Sequence, residues 1–338
     1  PAAADAAPVA AERWVHNPVG PFPDLQGLPM PDYALFDTAR ITANKGGWFG
    51  LMTSRGCPYR CTYCLNHEVV DRYRAELGRP TKDLGFFRFR RPEQMLEEIR
   101  HVLATYPNVG TFILDDDLFT LDTEHALAFC AAYRAAGIGV PFVVNSHVKR
   151  LEDRVAAALA GAGCRILKLG IESGSERVRA RILDRHMRDD DMLATIATAE
   201  RHGLHTSGFV MVGLPGETRA ERFETVEFLA RSGLGRFRVS RFFPFPGTRS
   251  YQLAVEGGYV DRSRMATLTD FTESSCLDFG PEENRLVDQL ATALPWFVDA
   301  RLGGAVAERY RPLVELLLAQ DDAEWAAFKP RVRAVDAE

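Results

Sequence analysis

Short apolar runs recur through the middle of this 338-residue chain, at about 48–54, 110–115, 140–145, 165–171, 206–212 and 236–242. Each has the length of a buried strand. Between them lie stretches with helical start and stop signals. Pro92 opens a helix in its first turn that runs to about Tyr106, and Asp122 caps a second that Gly137 ends. Further helices are expected over about 151–162, 189–202 and 217–232, closed by Gly163, Gly203 and Gly233. Six strands alternating with helices demand parallel pairing through crossover helices. An open doubly wound sheet and a barrel both satisfy that α/β pattern, and periodicity does not separate them. In either, ligands gather at the C-terminal ends of the strands, so the loops just after the strands are the places to look for function.

The flanks read differently. Residues 1–47 carry Pro8, Pro18, Pro21, Pro23, Pro29 and Pro31 with few periodic apolar positions, which suggests a Pro-rich linker or surface wrap. The alternating core spans 48–250. From about 249 the alternation stops, and helical segments such as 283–301 and 304–320 make 251–338 a helical C-terminal extension. The opening stretch lacks a basic start and a continuous apolar run, so it is a poor signal peptide. It also lacks an initiator Met, which suggests a processed product or a piece of something longer.

A hydrophobic content of 46% lets the chain bury a large core as one or two domains. The net charge of −5 gives no support for nucleic-acid binding. No apolar run approaches the roughly 20 residues needed to span a bilayer. Six cysteines are too few for a disulfide scaffold in a chain this long. Their clustering suits a reducing cytosol, where thiolates stay free for metal, and a cytoplasmic location is expected. Cys130 and Cys164 read as small core residues.

The other chemistry begins after the first strand. Cys57, Cys61 and Cys64 stand in Thr53-Ser-Arg-Gly-Cys-Pro-Tyr-Arg-Cys-Thr-Tyr-Cys64, a C-x3-C-x2-C spacing. Three thiolates on one loop can bind metal, yet a structural zinc and a fully protein-ligated iron–sulfur cluster each want four ligands. A zinc site would need a fourth ligand from elsewhere, such as His67. A cluster held by three cysteines instead leaves one iron open to a substrate or cofactor.

The triplet, with an aromatic Tyr63 before its last cysteine, resembles the motif of the radical S-adenosylmethionine (SAM) superfamily. The resemblance implies a [4Fe–4S] cluster on Cys57, Cys61 and Cys64, with the amine and carboxylate of SAM on the open iron. One electron then cleaves SAM to methionine and a 5′-deoxyadenosyl radical that abstracts hydrogen from substrate. It also implies a fold, a partial (β/α)6 TIM-type barrel. Four strand-end segments extend the likeness, which spans about 49–250. Leu114-Asp-Asp-Asp-Leu-Phe-Thr120 is similar to the Asp-Asp-x-Phe-Thr of one branch and puts Asp116 and Asp117 at the SAM amine. Gly170-Ile-Glu-Ser-Gly-Ser175 matches the family's Gly-Ile-Glu-Ser string and puts Glu172 and Ser173 near SAM, with Asp117 and Glu172 as the catalytic carboxylates. Gly208 to Thr218 resembles the segment passing the adenine, with Met211 and Gly213 nearest. Phe243-Pro-Phe-Pro-Gly-Thr248 is similar to a string that would rim the substrate side.

Two places depart from the pattern or sit beside it. Asn145-Ser-His-Val148 occupies the place of an Arg-containing string, and the ribose contact falls to Asn145 and Ser146. Phe87-Arg-Phe-Arg-Arg91 reads as a solvated loop leading into the helix at Pro92, although Arg88 and Arg90 fit an Arg-x-Arg of the branch. The closest branch often carries a cobalamin-binding domain joined by a Pro-rich segment, and its members methylate unreactive centres or make rings. This chain has such a segment but no Asp-x-His-x-x-Gly cobalamin string. The expectation is a radical SAM enzyme acting on an unactivated C–H of a small metabolite or natural-product intermediate, with cobalamin-dependent methylation as one form of it. A cobalamin-independent cyclase, isomerase or dehydrogenase is the alternative, and a non-catalytic metal-binding or redox-sensing protein is the second. A flavodoxin- or ferredoxin-type electron donor is implied as a partner; no nucleic acid and no membrane are.

Overall fold

The computed structural model describes residue 15, residues 17–268, residue 270 and residues 274–335. Its strands are β1 (Trp48–Leu51), β2 (Ser54–Arg55), β3 (Arg88–Phe89), β4 (Thr111–Leu114), β5 (Phe142–Ser146), β6 (Cys164–Glu172), β7 (His205–Val212) and β8 (Arg236–Arg241). Six of them form one parallel sheet in the order β1-β4-β5-β6-β7-β8. That order decides between the two architectures the alternation left open. A doubly wound sheet reverses direction at a switch point. Here each new strand joins the same growing edge, so right-handed crossovers leave all the helices on one face. The result is a curled partial barrel.

The first expected strand, 48–54, is cut short at Leu51, because Ser54–Arg55 turns away to pair antiparallel with Arg88–Phe89. The arginine-rich run expected as a solvated loop is therefore partly a strand, continued by Arg90 N donating to the Thr53 carbonyl at 2.8 Å.

The crossover helices begin and end where their signals stand. They are preceded by α1 (Thr38–Asn44) and α2 (Asn66–Leu77), and comprise α3 (Pro92–Thr105), α4 (Thr123–Ala135), α5 (Asp153–Gly161), α6 (Asp189–Arg201) and α7 (Arg219–Ser232). Asp122 accepts from His125 N at 2.9 Å, Thr218 and Glu221 make a capping box, and Gly233 ends α7 in the left-handed region. Helix α2 escaped the sequence pattern because it buries only His67 and Val70. The main core lies between the convex side of the sheet (Phe112, Leu114, Phe142, Val144, Leu167, Leu169) and the helices (Met95, Ile99, Phe129, Leu159, Ile196).

The flanks clamp this unit. Phe22 stacks on Tyr73 with ring centroids 4.0 Å apart, Leu25 is buried, and Tyr33 meets Phe49 edge-on while donating to the buried Glu98. The described N-terminal residues thus wrap the barrel. After β8 come α8 (Arg249–Glu256), α9 (Arg262–Thr267), α10 (Pro281–Asp299), α11 (Gly304–Ala319) and α12 (Asp322–Val335). Helix α10 packs on α7 and β8, where Asp288 accepts from Arg241 Nε at 2.9 Å, Trp325 Nε1 at 2.7 Å and Lys329 Nζ at 2.7 Å. Among the described residues no helix is long and apolar enough to cross a membrane.

Candidate active site

The C-terminal ends of β4, β5 and β6 open into a cavity of about 390 Å³, and Cys57, Cys61 and Cys64 all line it. Burial pushes the Cys57 thiol up to about 11 and raises that of Cys64 as well. In the metal-free protein these two are protonated at neutral pH, and a metal would displace the protons. His67, the sequence candidate for a fourth zinc ligand, does not line this cavity; its Nε2 faces Glu68 at 3.2 Å. Among the described residues no three His, Cys, Asp or Glu side chains converge as on a single metal ion. Thiols that each serve a different iron of one cluster have no need to converge.

A hydrogen-bonded chain runs through the far wall. Tyr63 donates its hydroxyl to Glu172 Oε1 at 2.9 Å; Arg185 Nη1 donates to Tyr63 at 3.2 Å and to Cys61 Sγ at 3.4 Å. The second Arg185 nitrogen, Nη2, donates to the Gly170 carbonyl at 2.8 Å, while Nε is buried without a partner among the described residues. Burial, then the charge of Glu172, raises the Tyr63 hydroxyl well above its ordinary range. Burial raises Glu172 too, with Arg185 and Tyr63 pulling the other way. Burial works against the Arg185 charge, but Tyr63, Glu172 and Cys61 more than offset it and hold the guanidinium charged.

Local backbone makes this wall. A register shift between Gly170 and Glu172 ends β6, and Glu172 sits at φ +66°, a left-handed conformation uncommon for a side chain of its size. Gly170 leaves room for the ends of the Glu172 and Arg185 side chains to lie against the strand. A Cβ there would lie 2.4 Å from Glu172 Oε1 and 3.1 Å from Arg185 Nη2.

The three adjacent aspartates divide by strand parity. Phe112 and Leu114 point into the helix-side core, and Asp116 follows them. Its wholly buried carboxylate accepts from Thr53 N at 2.6 Å, from Ser54 Oγ at 2.8 Å and from the Thr53 hydroxyl. Asp116 does not line the cavity and anchors the base of the cysteine loop. Asp115 and Asp117 point the other way and do line it. Asp117 accepts from Gly56 N and from Asn66 Nδ2, both at 2.9 Å, so it also ties the loop to α2.

Of the remaining expected residues, Asn145 and Ser146 line the cavity. Asn145 Nδ2 donates to the Asp116 carbonyl at 3.0 Å, and Ser146 shares a 2.7 Å hydrogen bond with Thr120. Ser173, Met211 and Gly213 do not line it. Ser173 is fully buried against Thr225, 3.3 Å away, because β6 has turned behind Glu172. Met211 packs beside the cluster of Val178, Leu183 and Leu214. Gly213 faces a separate cavity on the α10 side and donates to Glu217 Oε2 at 3.0 Å.

Sequence reasoning missed several wall residues. Arg185 follows a π-turn (Val178–Ile182), and no local spacing links it to Cys61. Tyr59, between two of the cysteines, stacks on His147 with centroids 4.0 Å apart. Burial, reinforced by Arg185, pushes that imidazole down to about 3, so it is neutral near pH 7. The role of Asp115 was legible in the alternation of Phe112, Leu114 and Asp116.

The family profile described as "Radical SAM superfamily" matches residues 51–229. An uncharacterised methyltransferase of Pyrococcus horikoshii is 26% identical over 234 residues, 69% of this chain and 47% of that protein. The cytidylyl-2-hydroxyethylphosphonate methyltransferase of Streptomyces wedmorensis is 22% identical, covering 71% of this chain and 44% of the relative. The chain thus spans less than half the length of these curated relatives. Among solved structures, the cobalamin-dependent SAM radical enzyme OxsB, with aqua-cobalamin and SAM bound, shares the fold at a TM-score of 0.59 and 12% identity, over 91% of this chain and 52% of that one. The radical SAM methyltransferase TsrM of Kitasatospora setae, with cobalamin and a [4Fe–4S] cluster bound, does so at 0.52 and 19% identity, over 68% of this chain and 40% of that one.

Proposed function

This chain belongs to the radical SAM superfamily, and from that premise we propose that Cys57, Cys61 and Cys64 hold a [4Fe–4S] cluster whose open iron takes SAM in the cavity at the strand ends. It is a radical SAM enzyme, a membership that argues against the sensor reading. The observation that carries the site is that three thiols of one loop and the Tyr63–Glu172–Arg185 chain open on one cavity. The donor set fits the group, since it supplies three soft thiolates and no fourth. When bound, cluster and SAM together supply one-electron cleavage of SAM to a hydrogen-abstracting 5′-deoxyadenosyl radical.

The chain's own residues bind and orient. Arg185 donates to the Cys61 sulfur and so fixes that side chain's orientation toward the cavity. Asp117 and Glu172 offer oxygens to the N–H groups of the SAM amine, which need acceptors. Asn145 and Ser146 present polar groups for the ribose, while Leu118 and Phe209 add apolar wall. The reaction is functionalisation of an unactivated C–H of a small molecule, with the electron supplied by a flavodoxin- or ferredoxin-type donor. Methylation with cobalamin is the favoured form, supported by the methyltransferase names of two relatives and the fold shared with cobalamin-bound enzymes. A cobalamin-independent cyclase, isomerase or dehydrogenase reaction is the second reading.

Anaerobic reconstitution tests the proposal. The protein should bind about four irons with broad absorption near 400 nm, and under reductant form 5′-deoxyadenosine from SAM; Cys61→Ala should do neither. Colourless protein, or undiminished 5′-deoxyadenosine from Cys61→Ala, refutes the site. Added cobalamin that neither binds nor changes turnover favours the second reading.

A further inference from the structure

We propose that Lys168 and Arg238 form an oxyanion anchor on the concave face of the sheet, taking a carboxylate or phosphoryl group of the substrate, which rests on the reading above that SAM is cleaved in the cavity Lys168 lines. Residues paired across parallel strands point to the same side. Lys168 pairs with Asn145 on one side and Ser207 on the other, and Phe209 pairs with Arg238. Phe237 and Val239 pack into the helix-side core, so Arg236, Arg238 and Ser240 face the concave side with Phe209. Lys168 and Phe209 line the same cavity as the cysteines.

The charges on this wall do not balance. The Lys168 side chain is only 18% exposed, and its ion-pair partner among the described residues is Asp115 Oδ1 at 4.0 Å, the outer limit of such a pair. Asp115 is itself 54% exposed and leans over Gly50. Arg238 is exposed and has no hydrogen-bond or ion-pair partner among the described residues. Burial depresses the Lys168 ammonium; Asp115 offsets part of that, and the smaller effect of the nearby Arg238 charge adds to the depression. The other carboxylates of the cavity, Asp117 and Glu172, are engaged by Gly56, Asn66 and Tyr63, so Lys168 and Arg238 share one loosely placed partner, Asp115, between them. A half-buried cation is costly until an anion meets it, and functional sites are where such imbalance persists. An ammonium and a guanidinium facing one space suit oxygens that share a negative charge.

The test uses the reconstituted full chain at low ionic strength, with methylphosphonate and acetate as probes followed by calorimetry. The wild type should bind at least one; whichever binds more tightly distinguishes a phosphoryl from a carboxylate group. Lys168→Gln and Arg238→Gln should each weaken that binding about tenfold, the effect of losing one charge-assisted contact, while Lys168→Arg should retain it. Failure of both probes to bind the wild type, or equal binding by the Gln variants, overturns the anchor. SAM cleavage by the same wild-type preparation separates the two readings. Cleavage without probe binding sinks the anchor alone, and Lys168-dependent probe binding without cleavage sinks the cluster reading alone.

Discussion

Replacing Asp116 separates a structural carboxylate from a cofactor ligand within one Asp-Asp-Asp run. Its side chain is wholly buried and accepts from the Thr53 N–H, the Thr53 hydroxyl and the Ser54 hydroxyl. Asp116→Ala leaves three buried donors without an acceptor, at about 1 kcal/mol or more each, for a total of roughly 3–5 kcal/mol. Asp116→Asn is far milder. Its amide oxygen can still accept from the Thr53 N–H, and its NH₂ can donate to the two hydroxyls once they rotate. Burial already holds this carboxyl above its ordinary range, so a neutral isostere forfeits little charge stabilisation. The expected cost is about 1 kcal/mol, or a few degrees in Tm for a chain of this size. SAM affinity of the reconstituted Asn variant, measured by equilibrium dialysis, should match the wild type. Asp117→Asn should instead weaken SAM binding, because Asp117 lines the cavity, at a stability cost of about 1 kcal/mol for the one donor, Gly56 N or Asn66 Nδ2, left facing an amide NH₂. If Asp116→Asn keeps its Tm but loses SAM affinity about tenfold, as loss of a charge-assisted contact would require, the parity argument fails.

Three further outcomes can be checked. Gly174→Ala places a Cβ 2.5 Å from the Glu224 carbonyl oxygen and from Thr225 Cα, so α7 must shift off the sheet; a loss of roughly 2–4 kcal/mol in urea unfolding is expected, and an unchanged midpoint would contradict the packing. Burial pushes Glu217 from its ordinary 4.5 up to about 7. The folded state therefore binds this proton more tightly than the unfolded state, and its contribution to stability is full below about pH 4.5 and lost as pH rises through 7. Glu217→Gln should flatten that slope, and equal pH profiles for variant and wild type would refute it. Tyr63→Phe removes the hydroxyl between Glu172 and Arg185 and should cost about 1–3 kcal/mol; thermal melts identical to wild type would show that this chain carries no weight.

Much of the protein is legible in one dimension because the relevant physics is local. A C-x3-C-x2-C spacing forces three thiols onto one loop whatever the fold around it. Alternation of short apolar runs with capped helices compels a parallel sheet, since parallel strands need crossovers. Even the division of Asp115, Asp116 and Asp117 follows from a side-chain period of two counted from Phe112 and Leu114, a local rule the motif resemblance masked.

Tertiary structure decided what depends on contacts between distant segments. Only the strand order shows that the sheet grows along one edge and curls, since alternation is blind to which edge the next strand joins. Arg185 reaches Cys61 across 124 residues because β6 ends in a shifted register and a π-turn carries the chain back over the cavity. Ser173 and Gly213 sit in strings that resemble cofactor-binding motifs, yet the turn after Glu172 buries one and the packing of α10 draws the other to a separate cavity. The sequence set which groups the loop could bring to a metal. The packing of six strands set which side chains share their cavity, because that depends on register and burial, which no local spacing encodes.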